Sequence, residues 1–228
     1  MARRDPRAGR VDHSTVHVHE YALDVIEGRQ VAGKFVRQAC ARHFEDLETG
    51  EARGFYFDQV EAEAWLAFFG MLRHSKGEWA GQPFQLQRWQ QFIVGSVFGW
   101  RWIDDGARRY ATAHVEVARK NGKTTMLAAL GLGGLAIDDE PGAEVYAVAT
   151  KRDQARIVFD EADRMVKGSD ALSKIVSPFK TSLAVDSTNS KFEPLGADYN
   201  TLDGLNVHFG LIDELHAHKS PKLYEVIE

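Results

Sequence analysis

HVEVARKNGKTTMLAALGLGGLAIDDEP spans residues 114–141. At its centre stands Asn121-Gly122-Lys123-Thr124-Thr125. Before it, Arg109 to Ala118 alternates apolar and polar residues, which predicts a strand. After it, Thr124 to Ile137 is small and apolar throughout and predicts a helix. A loop between a strand and a helix N-terminus is an anion site, because free backbone N–H groups and the positive end of the helix dipole converge there. Gly122 lets the backbone approach a phosphate closely. Lys123 suits the β- and γ-phosphates of ATP, and the Thr124 hydroxyl suits Mg²⁺. The common form of this loop has a glycine five positions before the Gly-Lys pair. Here Val117 occupies that place.

An ATP site of this kind needs carboxylates at the end of another strand. "VHFGLIDELHAH" (Val207 to His218) supplies them. An apolar strand over Val207–Ile212 ends in Asp213-Glu214. Carboxylates at the end of a buried strand are costly without a cation or a chemical task. Asp213 is therefore read as the Mg²⁺-side acid and Glu214 as the general base that positions the attacking water. His216 and His218 are two apart and could ligate zinc, but no Cys or third histidine lies near them in sequence.

Outward from these motifs, Ala143–Ala149 reads as a strand. Thr150 is placed as the cap of a helix running to about Lys167, with Asp153 in its first turn and Gly168 as its stop. Lys180–Val185 and Lys191–Leu195 flank Asp186-Ser187-Thr188-Asn189 and read as a hairpin. Ser220-Pro221 opens a further helix. Strands alternating with helices argue for an α/β domain with a mainly parallel sheet. Upstream, His19 to about Leu47 is helical with breaks near Gly28 and Gly33. Val60–His74 is a helix presenting Trp65, Phe68, Phe69 and Leu72 on one face, and Gln87–Phe98 is another.

Composition bounds the rest. The chain has 228 residues, 44% hydrophobic and 27% charged, as a globular protein has. No stretch is long and apolar enough for a membrane span, and the basic start, MARRDPRAGRVDHSTV, lacks the apolar core of a secretory signal. Cys40 is the sole cysteine, which excludes an internal disulfide and fits a small packed residue. A net charge of −5 gives no general attraction to nucleic acid. No serine or cysteine sits in a nucleophile-elbow pattern, and no Gly-x-Gly-x-x-Gly run is present.

"VARKNGKTT" and "LIDELHAH" resemble the ATPase domain of phage terminase large subunits, the DNA-packaging motors, in the branch typified by phage HK97. That family uses a variant phosphate loop, Arg-x-x-Gly-Lys-Ser/Thr. Arg119-Lys120-Asn121-Gly122-Lys123-Thr124 fits it, with Thr125 closing the binding loop. The resemblance makes Arg119 a cis-acting arginine at the γ-phosphate, where a guanidinium offsets developing charge. "GEWAGQPFQLQRWQQFIVGSVFGWR" resembles the family's segment ahead of the loop, in which a glutamine reads the adenine edge. Gln90 is the first choice, then Gln87 and Gln91. Trp89 is either core or a stacking platform. Arg152 and Arg156 fall in a stretch that also resembles the family; a solvated helix face is preferred to action on a neighbouring subunit's ATP.

The resemblance implies an α/β P-loop NTPase fold of the ASCE type, with a mainly parallel central sheet, helices on both faces and a helical segment before it. It divides the chain into a disordered 1–13, a helical 14–80 and an ATPase core 81–228 cut short at its C-terminal end, with the family's nuclease domain absent. It further implies ATP and Mg²⁺ as cofactors, and double-stranded DNA, a portal protein and a small terminase subunit as partners. The subunits would form a homo-oligomeric ring on the capsid and remain monomeric in isolation, without contact to a membrane. The site of action would be the cytoplasm of the infected bacterium and, transiently, the procapsid portal. The alternatives are another nucleic-acid P-loop ATPase of helicase type and a non-catalytic nucleotide-binding scaffold.

Overall fold

The structure is a computed structural model that describes residues 17–196 and 205–218. The described residues form two units, neither of them a single stretch of chain. The first comprises 17–67 and 85–114. The second comprises 68–84 and the described residues from 115 onward.

In the first unit, α1 (His17–Ile26), α2 (Lys34–Thr49), the first part of α3 (Gln59–Met71) and α4 (Arg88–Gly99) surround a two-stranded antiparallel ribbon. The ribbon pairs β1 (Phe55–Phe57) with β2 (Trp100–Trp102). Its helices fall where the apolar periodicity puts them, and α1 stops just before Gly28, which has φ +75°. Val18, Ala22, Val25, Cys40, Ala62 and Phe92 form one core cluster. α1 and α4 approach closely because Gly95 has no side chain: a Cβ there would stand 2.1 Å from a Val18 methyl. Trp65 and Phe98 stack with ring centroids 3.5 Å apart. Cys40 is fully buried, and burial pushes its thiol up to about 11, the state of an inert packed residue rather than a nucleophile.

Asp46 is the electrostatic centre of this unit. Its side chain is fully buried and accepts hydrogen bonds from Arg53 at 2.7 Å and Arg109 at 2.6 Å. The Arg109 guanidinium also lies 3.6 Å from the Phe55 ring centre. Removing one partner of a buried ion pair strands the others, at a cost of about 3–5 kcal/mol. Asp46→Ala is therefore expected to lower the unfolding free energy from denaturant titration by that margin, with a matching fall in the midpoint. An unchanged midpoint would show that the two arginines do not depend on it.

The second unit holds a five-stranded sheet in the order β4-β5-β6-β3-β7. The strands are β3 (Glu144–Ala149), β4 (Ser177–Pro178), β5 (Leu183–Val185), β6 (Ser190–Gly196) and β7 (Val207–Ile212). β3 is parallel to both β6 and β7, while β4, β5 and β6 run antiparallel, so the parallel part is the half that carries Asp213-Glu214. The β5–β6 hairpin is the one the sequence predicts around Asp186–Asn189. α5 (Lys123–Ala136) and α6 (Arg152–Lys167) pack side by side on one face. Phe192 of β6 fills the seam, against Phe159 of α6 and close to Gly131 of α5. The opposite face carries Tyr146 and Val148, packed with Leu195, Leu205, Val207 and Ile212.

A polar group borders that face. The Tyr146 hydroxyl donates to Glu144 at 2.8 Å, and Lys191 bridges Glu144 and Glu193 at 3.5 and 3.4 Å. Burial and the hydrogen bond to Glu144 push the Tyr146 phenol up to about 12. On α6, Glu161 is buried but keeps a lowered pKa. Burial would raise it; the Ser75 hydroxyl at 2.6 Å and the Arg164 guanidinium at 2.8 Å outweigh that.

Two expectations change. Arg109–Ala118 is not a strand. Arg109 is held in the first unit by Trp100 and Asp46, and residues 111–118 run without a ladder partner among the described residues. Side-chain alternation reports a two-faced extended chain, but a strand also needs a neighbour to bond. Thr150 does not cap α6: Lys151 is the N-cap, and the Thr150 hydroxyl bonds the Gln154 side chain at 2.7 Å. Gly168 caps the C-terminal end of α6, where the sequence places its stop, with φ −87°. The helix expected from Ser220 and the disordered start both lie outside the described residues. No helix of the described residues is long and apolar enough to cross a membrane.

Candidate nucleotide-binding site

The loop at the start of α5 is shaped by its backbone. Lys120 has φ +66° and Gly122 has φ +73°, both left-handed. At Gly122 this conformation carries no Cβ penalty; at Lys120 it is unusual and marks a built turn. The Asn121 amide donates back to the Ala118 carbonyl at 3.1 Å and braces the turn. Gly122 is the N-cap of α5, with no side chain bonding the helix end. The first N–H groups of α5 are thus not taken by a side-chain cap, as an anion site requires.

Residues far apart in sequence meet at this loop. Thr124 and Asp213 are 89 residues apart, and the Thr124 hydroxyl lies 3.4 Å from Asp213 Oδ2. Lys123 Nζ lies 3.5 Å from Glu214 Oε1. Glu214 itself has φ +51°, rare for a residue with a long side chain, and its N–H donates to Asp213 Oδ1 at 2.9 Å. The turn that ends β7 thus ties the Glu214 backbone to the Asp213 carboxylate. His216 Nδ1 sits 3.4 Å from Glu214 Oε2. Glycine at the helix cap, a lysine, a hydroxyl and two carboxylates are the donor set that a nucleotide phosphate with Mg²⁺ requires. Among the described residues no group of three or more His, Cys, Asp and Glu could hold a metal.

The other residues fall as follows. Arg119 and Lys120 are exposed at the loop, and Thr125 is half-buried in the first turn of α5. Gln90 belongs to the first unit. It is 4% exposed, and its side-chain oxygen accepts the Gln87 N–H at 2.8 Å at the start of α4. That oxygen is engaged in capping, a role the sequence reading did not give it. Gln91 donates to the Leu86 carbonyl at 3.0 Å, whereas the Gln87 side chain is exposed. Trp89 is half-buried. Arg156 pairs with Asp160 at 3.5 Å one turn along α6, and Arg152 is exposed at its start, so both occupy a solvated helix face.

The family description "Terminase large subunit, ATPase domain" matches residues 88–228, more than half of the chain and the part that holds the loop and both carboxylates. The chain belongs to the terminase large-subunit family. The terminase large subunit of Enterobacteria phage HK97 is 29% identical over 150 residues, which cover 64% of this chain and 29% of that protein. The crystal structure of the HK97 large terminase matches with a TM-score of 0.62 at 27% identity, over 73% of this chain and 34% of that one. The chain thus spans about a third of these terminases. It is an α/β protein with the P-loop ATPase fold of the terminase large subunit.

Proposed function

We propose that this chain is the ATP-hydrolysing motor domain of a viral terminase, driving double-stranded DNA into a procapsid. The observation that carries the reading is the meeting of Lys123 and Thr124 with Glu214 and Asp213 at the open N-terminus of α5. Lys123 would leave Glu214 for the β- and γ-phosphates, and the α5 amides would bind the same oxygens. Thr124 and Asp213 would hold Mg²⁺, which supplies charge neutralisation at the transferring phosphoryl group. Glu214 would orient the attacking water and accept its proton. Arg119, at the loop, would offset charge as it develops.

Partners follow from the same reading. The motor would work as a ring with portal and small terminase subunits on the procapsid, in the cytoplasm of an infected bacterium. With a net charge of −5, the single chain lacks a general attraction to DNA, so contact belongs to a local patch in the assembled ring. The test is ATP hydrolysis without DNA, with duplex DNA and with single-stranded DNA. Stimulation by the duplex that fades with added salt is expected. Preference for single strands would favour a helicase-type ATPase, and nucleotide binding without hydrolysis in all three would favour a scaffold.

A further inference from the structure

The β3–β7 ladder contains one irregular step. Glu144 pairs with Val207, but Val145 pairs with Phe209, so His208 is an extra residue with no opposite number. His208 is not left loose. Its Nε2 lies 2.6 Å from Asp138 Oδ2, and the two side chains are only 18% and 8% exposed. Asp138 follows directly on the residue that caps α5, so the pair ties the bulge of β7 to the connection between α5 and β3. Just before the bulge, the Asn206 N–H donates to Glu144 at 3.1 Å, which fixes the chain on its other side.

The bulge decides which side chains of β7 face α5. Beyond it, Phe209 stands opposite Val145 and Leu211 opposite Ala147. Alternation along the strand then places Phe209, Leu211 and Asp213 on one face. α5 receives the first two at glycines. A Cβ at Gly134 would stand 3.0 Å from the Phe209 ring, and one at Gly131 would stand 2.7 Å from Leu211 Cδ1 and 2.8 Å from Phe192. Further along α5 towards its N-terminus, Thr124 meets Asp213. A one-residue slip would turn this whole set to the other face and take Asp213 away from Thr124.

We propose that the Asp138–His208 pair is a register lock. It holds the bulge that delivers Asp213 and Glu214 to the loop, with Gly131 and Gly134 as the sockets for the locked strand. Both residues are positioning residues, since neither touches the loop. The inference rests on the nucleotide-site reading for its consequence, but not for its structural content. Bulges beside functional sites re-aim side chains in this way.

The experiment compares His208→Ala and His208→Gln with the unmodified chain. The first arm is amide hydrogen exchange of the 207–214 segment without nucleotide. The second is ATP titration in Mg²⁺ and in EDTA. In His208→Ala, exchange should rise about tenfold, the scale of one lost charge-assisted hydrogen bond. The tightening of ATP by Mg²⁺ should shrink by a similar factor, while affinity in EDTA stays unchanged. His208→Gln, which keeps a donor at that reach, should restore both. If His208→Ala does not fold, Asp138→Asn keeps the shape, weakens the pair and should give the same two changes. Parental exchange in the Ala variant, or a Gln variant as defective as Ala, would overturn the lock. If the unmodified chain binds no ATP, the nucleotide reading fails, and the exchange arm alone decides the lock.

Discussion

Replacing Glu214 with Gln is expected to leave ATP–Mg²⁺ affinity within a few-fold of the unmodified protein and to lower turnover by about 10²-fold or more. The side chain keeps its shape and hydrogen-bonding atoms but can no longer accept a proton. Its work is on the attacking water, and that interaction matters chiefly in the transition state. The geometry adds a second reason for retained affinity. Glu214 holds Lys123 at 3.5 Å, so the substitution releases the lysine toward the phosphates. Steady-state hydrolysis with a parallel binding titration checks this. Hydrolysis at the parental rate would end the catalytic assignment of Glu214.

The second large effect is on binding. Lys123→Ala should weaken ATP–Mg²⁺ affinity by roughly 10- to 100-fold, the value of a hydrogen bond to a charged group in a site that gives no substitute. Arg119 and Lys120 are exposed at the loop and lie on the other side of the Gly122 cap in sequence, so neither stands on α5 as Lys123 does. Calorimetric titration measures the loss directly. Unchanged affinity would mean that the loop is not the phosphate site.

Much of the second unit was legible in the sequence, because its signals are local. The small apolar run after Gly122 gives α5 within a residue at each end, and the Asp186–Asn189 turn gives the β5–β6 hairpin. The place of Asp213 and Glu214 at the end of a strand was readable from the apolar run before them. What failed was non-local. Arg109–Ala118 has the alternation of a strand, but pairing depends on a neighbour that the segment itself does not encode. Thr150 has the chemistry of a cap but sits one position too early, and its hydroxyl goes to Gln154. His208 was unreadable for a different reason. A bulge is a property of two paired strands, and the sequence shows only that a histidine interrupts an apolar run. The one trace of the register lock is the pair of glycines at 131 and 134, spaced one helical turn apart on a face that must admit large side chains.

Lys123 and Glu214 meet at 3.5 Å, and the proposed site has them serve one ATP–Mg²⁺ complex with divided labour. One ATP titration in Mg²⁺, run on the unmodified chain, Lys123→Ala and Glu214→Gln side by side, tests it most directly. Lys123→Ala should lose most of the affinity, and Glu214→Gln should keep it. Equal loss in both variants, or no loss in either, would contradict it.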